Sequence, residues 1–283
     1  MPTILDTLKK GAIWLEKQGI DEARLNMEHL IAHLLACDRM QLYIDFDRPL
    51  TDAELDELRE LTKRRAGGEP LQHILGTVEF CGLEFFCDNR ALIPRPETEE
   101  LAAQVAQFTI PGKPDILDVG CGSGVLGLSL LHLLADREPS LVLGDISRDA
   151  LDLASENVDK LQLGPKNIQL IETDLFSNVS DTFDLIVANL PYVSNEQRSH
   201  LSPEVQWDPD TALYGGEEGT ELIQRFLEEA PSRLNPGAVL AIEFGIGQGD
   251  TLKTFADSRG LGNLETLRDL SGVERFLFAT QAA

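Results

Sequence analysis

The chain has 283 residues, 42% of them hydrophobic, and a formal charge of −24 at pH 7 from 24 basic and 48 acidic side chains. That length supports one large core and a smaller second domain, and a body this acidic is repelled by phosphate, which argues against direct binding of DNA or RNA. Four cysteines without CxxC or metal-ligand spacing fit buried thiols in a reducing compartment, and no signal-like or membrane-length apolar run occurs, so a cytoplasmic protein is expected.

Residues up to about Gly68 carry helical periodicity. Ile4, Leu5, Leu8, Ala12, Ile13 and Leu15 form one apolar stripe, and a second helix from about Asp21 to Cys37 turns Leu25, Met27, Leu30, Ile31, Leu34 and Leu35 inward. Thr51 and Glu54 have capping-box spacing ahead of a third helix. His29 and His33 lie at i, i+4, but no third ligand accompanies them, so a partly buried pair is expected rather than a metal site. Lys63-Arg64-Arg65, the densest basic run, suits the last turn of a helix. The unit has no chemistry of its own and is expected to recognise a partner.

Gly67-Gly68 ends that helix. Val78 to Phe80 and Leu83 to Phe86, around Cys81-Gly82, predict a β-hairpin joining two domains. In Ile93-Pro94-Arg95-Pro96-Glu97-Thr98-Glu99-Glu100 the prolines stiffen an extended stretch, and Glu97 or Thr98 is placed to open the next helix. The boundaries expected are 1–75 for the helical unit, 76–90 for the hairpin linker and 91–283 for a catalytic domain.

From Asp115 the pattern becomes α/β. A short buried strand, Ile116 to Val119, precedes Gly120-Cys121-Gly122-Ser123-Gly124 and an apolar helix from Val125. Alternate glycines let the backbone approach a ligand, and a helix N-terminus presents free N–H groups there. The next strand, Leu141 to Leu143, ends in Gly144-Asp145, and an acid at that tip is where a ribose diol is gripped in nucleoside-binding sheets. After a third strand, Ile168 to Glu172, Asp174 is placed either to accept from an adenine amino group while Leu175 or Phe176 packs on the ring, or to serve as a helix cap or turn acid. A fourth strand, Phe183 to Ala188, stops at Asn189-Leu190-Pro191-Tyr192. There a side-chain carbonyl, a backbone carbonyl and an aromatic face converge, a set that suits a planar –NH2 group. A helix from Thr220 to Leu234, a fifth strand from Ala238 to Phe244 and two short terminal strands complete the sheet.

No GxxxxGK[ST] is present, which argues against P-loop enzymes, and the third glycine falls one place early for a hydride-transfer fingerprint. GxGxG, the acid after strand two, Asp174 and NLPY together resemble the class I S-adenosylmethionine-dependent methyltransferases. Glu69-to-Gly76 (EPLQHILG), the hairpin, IPRPETEEL, DVGCGSG, NLPY and Asp208-to-Leu213 (DPDTAL) are similar in combination to the protein-(glutamine-N5) methyltransferases. The resemblance covers essentially the whole chain. It implies an α/β, Rossmann-like seven-stranded sheet with a small N-terminal helical bundle and a β-hairpin linker. It also implies methylation of the glutamine in the Gly-Gly-Gln loop of peptide chain release factors, with S-adenosylhomocysteine as product, no metal, and a monomer as the working unit. Leu190 departs from the family, which usually has proline there; NLPY is the form found in ribosomal RNA adenine dimethyltransferases, which lack the N-terminal bundle and PRPETE.

By that resemblance Gly120, Cys121, Gly122, Ser123, Gly124, Asp145, Asp174, Leu175 and Asn189 hold the cofactor. Asn189, Leu190, Pro191 and Tyr192 form the catalytic motif and, with Arg95, meet the substrate. Three other readings share parts of the pattern: glutamine methylation of a large-subunit ribosomal protein, N6-adenine methylation of nucleic acid, and a silent cofactor-binding module.

Overall fold

The computed structural model describes residues 1–110, 112–163 and 167–281, which divide into two compact units, Met1–Gly76 with Pro203–Trp207, and Thr77–Ser202 with Asp208–Ala283.

The first unit is helical: α1 (Ile4–Lys17), α2 (Ala23–Leu34), α3 (Arg39–Ile44), α4 (Asp52–Ala66) and α5 (Leu71–Leu75). Thr3 with Asp6 and Thr51 with Glu54 form capping boxes that start α1 and α4, so the second follows its sequence signature. Ile4, Leu8 and Leu15 join Met27, Leu30, Ile31 and Leu58 in one core. Ile13 is instead 54% exposed: the 3.6-residue repeat carries it off the stripe defined by Ile4, Leu8 and Leu15. His29 is half-buried and His33 exposed. Lys63, Arg64 and Arg65 occupy the last turn of α4. Arg65 is buried there, donating to Asn26 Oδ1 at 2.6 Å, to the Glu69 carbonyl at 3.1 Å and to Glu204, so that part of the basic run is structural.

The second unit opens with the hairpin β1 (Thr77–Phe80) and β2 (Leu83–Phe86). Its Phe80 and Phe85 lie in the largest core cluster, which ties the hairpin to this unit. Then follow α6 (Pro96–Val105), β3 (Asp115–Val119), α7 (Val125–Leu133), β4 (Ser140–Asp145), α8 (Arg148–Lys160), β5 (Ile168–Glu172), β6 (Phe183–Ala188), the two short strands β7 (Val193–Ser194) and β8 (Tyr214–Gly216), α9 (Glu221–Glu229), β9 (Leu234–Glu243), α10 (Gly249–Ser258), β10 (Gly262–Arg268) and β11 (Glu274–Thr280). Helix α6 starts earlier than its cap residues suggested. Pro96 takes the first helical position, where its fixed φ suits the helix and its missing N–H costs nothing, and this leaves Thr98 inside the first turn.

Seven strands form one sheet in the order β10-β11-β9-β6-β3-β4-β5. β9, β6, β3, β4 and β5 pair in parallel, and β11 and β10 add antiparallel strands at one edge. The inner strands are mostly apolar, with Asp118 of β3 and Glu243 of β9 as buried exceptions, and helices cover both faces, giving one core on each side of the sheet. From β3 the chain builds outward through β4 and β5, then returns to the other side of β3 for β6. The carboxyl ends of β3 and β6 therefore flank a topological switch point, where open α/β sheets form their ligand crevice.

Candidate active site

A cavity of about 300 Å³ lies at that switch point. Its floor is the turn after β3. Gly120, Gly122 and Gly124 take positive φ values of 70°, 55° and 80°, a region where a Cβ is strained, and Gly124 is the residue on which α7 begins. Gly120, Cys121, Gly122 and Ser123 line the cavity. Gly124 stands one step back, against Leu128, Leu143 and Ala154. Burial raises the Cys121 thiol well above its ordinary range, which disfavours the reactive thiolate.

Two acids govern the floor. Asp145, at the tip of β4, accepts the Gly122 amide on Oδ2 and the Ser147 amide on Oδ1, each at 2.8 Å. Burial raises its carboxyl and these backbone bonds pull it back. Asp118 on β3 is 1% exposed and accepts the Gly127 amide at 2.8 Å. Burial, reinforced by the charge of Asp145, pushes Asp118 up to about 7.

The wall after β5 carries Thr173, Asp174 and Leu175. Leu175 is buried at φ 49°, a strained setting for a bulky side chain that costs about 1–3 kcal/mol. The Thr173 hydroxyl holds the turn by donating to the Leu175 carbonyl at 3.1 Å. Asp174 is met by Arg225 of α9 at 3.0 Å. Phe176 faces away from the cavity, stacked on Phe226 in the core. Ile146, 59% exposed directly after Asp145, is an apolar surface of the cavity that periodicity did not single out.

The wall opposite is the turn after β6. Asn189, Leu190 and Pro191 line the cavity. Gly215 of β8 packs so closely behind that a Cβ there would stand 2.3 Å from the Pro191 carbonyl oxygen, which explains the glycine at that position. Asn189 Nδ2 donates to Thr98 Oγ1 at 2.8 Å, and Thr98 Oγ1 donates to Glu243 Oε2 at 2.7 Å. Tyr192 sits beyond this wall; its hydroxyl donates to Glu243 Oε1 at 3.2 Å, and burial pushes the phenol above its usual range. Thr98 and Glu243 are buried, Thr98 on the cavity and Glu243 behind it. Arg95 also lines the cavity and donates to Asp208 Oδ2 at 2.6 Å, while Asp208 Oδ1 takes the Ile93 amide at 3.0 Å. The PRPETE and DPDTAL segments thus meet through Asp208. Sequence reasoning placed Thr98 as a helix opener and left Glu243 without a partner; the only local signal for either was membership in PRPETE or the end of a strand.

Among the described residues no helix is long and apolar enough to cross a membrane, and no group of three or more His, Cys, Asp or Glu is arranged to hold a metal ion.

Comparison with known proteins gives this geometry a lineage. Residues 6–76 match the PrmC N-terminal domain and residues 101–204 the methyltransferase small domain. The fold is similar to a methyltransferase from Pyrococcus furiosus, at TM-score 0.53 and 18% identity over 71% of this chain and 90% of that one. It is similar also to a 16S rRNA N2 G1207 methyltransferase of T. thermophilus solved with AdoMet and guanosine, at TM-score 0.51 and 18% identity over 72% of this chain and 49% of that one. Together with the methyltransferase small domain match, these likenesses show a class I S-adenosylmethionine-dependent methyltransferase fold. Sequence relatives are nearer. The release factor glutamine methyltransferase of Geobacter sulfurreducens is 37% identical over 95% of each chain. The human MTRF1L release factor glutamine methyltransferase is 36% identical over 93% of this chain and 82% of its own. With such identity along nearly its full length, the chain belongs to the release factor glutamine methyltransferase family.

Proposed function

We propose that this protein transfers a methyl group from S-adenosylmethionine to the side-chain amide nitrogen of the glutamine in the Gly-Gly-Gln loop of peptide chain release factors. The observation that carries the reading is that one cavity joins the glycine turn and Asp145 to Asn189 and Leu190 across from them.

The residues fit the cofactor. Asp145 keeps lone pairs beyond those used by Gly122 and Ser147 and would grip the ribose hydroxyls. Ile146 and Leu175 offer apolar surfaces for the adenine, and Asp174 an acceptor for its amino group. Gly122 leaves backbone open to the ligand, since a Cβ there would meet only Ala91, at 3.7 Å. When bound, the cofactor supplies an electrophilic methyl group on a sulfonium.

The chain's own residues have a specific task, because an amide nitrogen is a poor nucleophile whose lone pair is delocalised into the carbonyl. Asn189 Oδ1 and the Leu190 carbonyl would accept the two N–H bonds of the glutamine and turn its lone pair towards the methyl group. Positive charge grows on that nitrogen during attack, so fixed acceptors gain strength in the transition state. Holding the two reactants in line contributes much of the remaining acceleration. The methylated cationic amide sheds its proton readily to water, and this chemistry needs neither a general base nor a metal. The hydroxyl of Tyr192 is taken by Glu243, so its ring, beyond the cavity wall, would be the part that packs beside the substrate loop.

Arg95, held by Asp208, would frame the entrance for the substrate loop. The acidic surface supports a protein rather than a nucleic-acid substrate, and we take the enzyme to act as a cytoplasmic monomer. Incubation with labelled S-adenosylmethionine, a release factor and its Gln-to-Ala variant, followed by peptide mass analysis, tests the reading. One methyl group on the Gly-Gly-Gln glutamine, absent from the variant, is expected. Methylation of a large-subunit ribosomal protein or of adenine instead, or no turnover, would overturn it.

A further inference from the structure

We infer that Thr98 and Glu243 are positioning residues that decide which end of the Asn189 carboxamide faces the substrate. The inference rests on the function proposed above and concerns a relay behind the site. An asparagine carboxamide rotated by half a turn about its last bond keeps the same shape and exchanges its oxygen for its NH2 group. For a substrate –NH2 group the two poses are opposites: one meets it with an acceptor, the other sets donor against donor.

The relay selects the accepting pose. Glu243 is 1% exposed, and each of its two carboxyl oxygens accepts from a hydroxyl. Oε1 is taken by the Tyr192 hydroxyl at 3.2 Å and Oε2 by the Thr98 hydroxyl at 2.7 Å. A hydroxyl has one hydrogen, so once Thr98 has given it to Glu243 only lone pairs remain for Asn189. The carboxamide must therefore turn its Nδ2 towards Thr98, as it does at 2.8 Å, and leave Oδ1 for the cavity. Thr98 is 4% exposed, so water does not readily take over its part. Burial raises the Glu243 carboxyl, and the bonds from Thr98 and Tyr192 oppose that rise.

The test pairs spectroscopy with kinetics. Thr98→Val keeps shape and removes the hydroxyl; Thr98→Ser restores it. In the free protein, a side-chain amide proton of Asn189 should be protected from solvent exchange in the wild type and in Thr98→Ser, and unprotected in Thr98→Val. This readout involves no acceptor substrate, so its failure is separate from failure of the release-factor reading. In turnover, Thr98→Val should lower kcat about 10–100-fold with Kd for S-adenosylmethionine within about threefold, and Thr98→Ser should recover most of the loss. In an Asn189→Ala background the same Thr98→Val change should cost less than about twofold, because the relay then has nothing to orient. Equal losses in both backgrounds, no rescue by serine, or an Asn189 amide indifferent to Thr98→Val would each overturn the inference.

Discussion

Asp145 and Gly122 are joined by a 2.8 Å hydrogen bond in which the glycine amide donates to the carboxylate, so the acid at the tip of β4 also shapes the turn after β3. With the Ser147 amide on its other oxygen, Asp145 is held as an acceptor on both sides. Asp145→Asn keeps the shape but places an NH2 group against one of those two amides and removes the charge proposed to grip a ribose. Charge-assisted bonds are worth about 1.5–3 kcal/mol, so Kd for S-adenosylmethionine should rise roughly 10–100-fold. Calorimetry checks this, and an unchanged Kd would remove Asp145 from the cofactor site.

Asn189→Ala should behave differently. Asn189 lines the cavity and donates to Thr98. Losing one polar group aimed at the reacting nitrogen should reduce kcat by about 10²–10³. Cofactor affinity should stay within about tenfold, since the other groups assigned to the cofactor are untouched. Near-normal turnover would contradict the role given to the carboxamide.

What sequence reading reached, and what it missed, divides by the range of the interaction. Strand β6 and the NLPY turn were legible because an apolar run bounded by acids and then by Asn and Pro is a local pattern. The glycine turn and Asp145 were legible for the same reason. Thr98 to Asn189 spans 91 residues and Tyr192 to Glu243 spans 51, and nothing local in either segment names its partner. Glu243 looks like any acid at a strand end until the fold buries it. Asp174 met Arg225 from a helix 51 residues on, again without a local cue. Ile13 failed for a simpler reason: several apolar residues within one helix do not all share a face.

The buried Asp118 gives stability a pH dependence of definite sign. Its carboxyl holds a proton up to about 7 when folded, whereas an unfolded aspartate releases it near ~3.9. Between those values the folded state binds more protons, so this residue lowers stability as pH rises through that window, and its effect levels off above it. Asp118→Asn, neutral throughout, should lack that contribution. Denaturant midpoints at pH 5.5 and 8 should show the wild type losing roughly 2 kcal/mol relative to the variant. A wild-type-to-variant difference equal at both pH values would mean that Asp118 ionises normally in the fold.

Leu190 and Gly120 are the last pair to separate. Leu190 is 4% exposed, and its Cδ2 lies 2.8 Å from where a Cβ on Gly120 would stand. Its side chain is thus a packing piece over the glycine turn, while its carbonyl is the group proposed to meet the substrate. Leu190→Pro, which restores the family's usual residue, keeps the carbonyl and loses the methyl groups that fill this space. Turnover should stay within about tenfold, or roughly 1.4 kcal/mol of barrier. Stability should fall by about 1–3 kcal/mol, because burial lost in a core outweighs what proline gains by restricting the unfolded chain. Gly120→Ala alone carries two penalties: the clash with Leu190, and a φ of 70° that costs a Cβ about 1–2 kcal/mol. Combined with Leu190→Pro, the clash disappears and only the backbone penalty remains, so the double variant should be more stable than the sum of the two losses predicts. Urea melts of the four proteins measure that coupling, and steady-state kinetics on a release factor measure the rest. Strict additivity would show that the two side chains do not compete for this space. A thousandfold loss of turnover in a folded, cofactor-binding Leu190→Pro protein would mean that the leucine side chain itself shapes the substrate site.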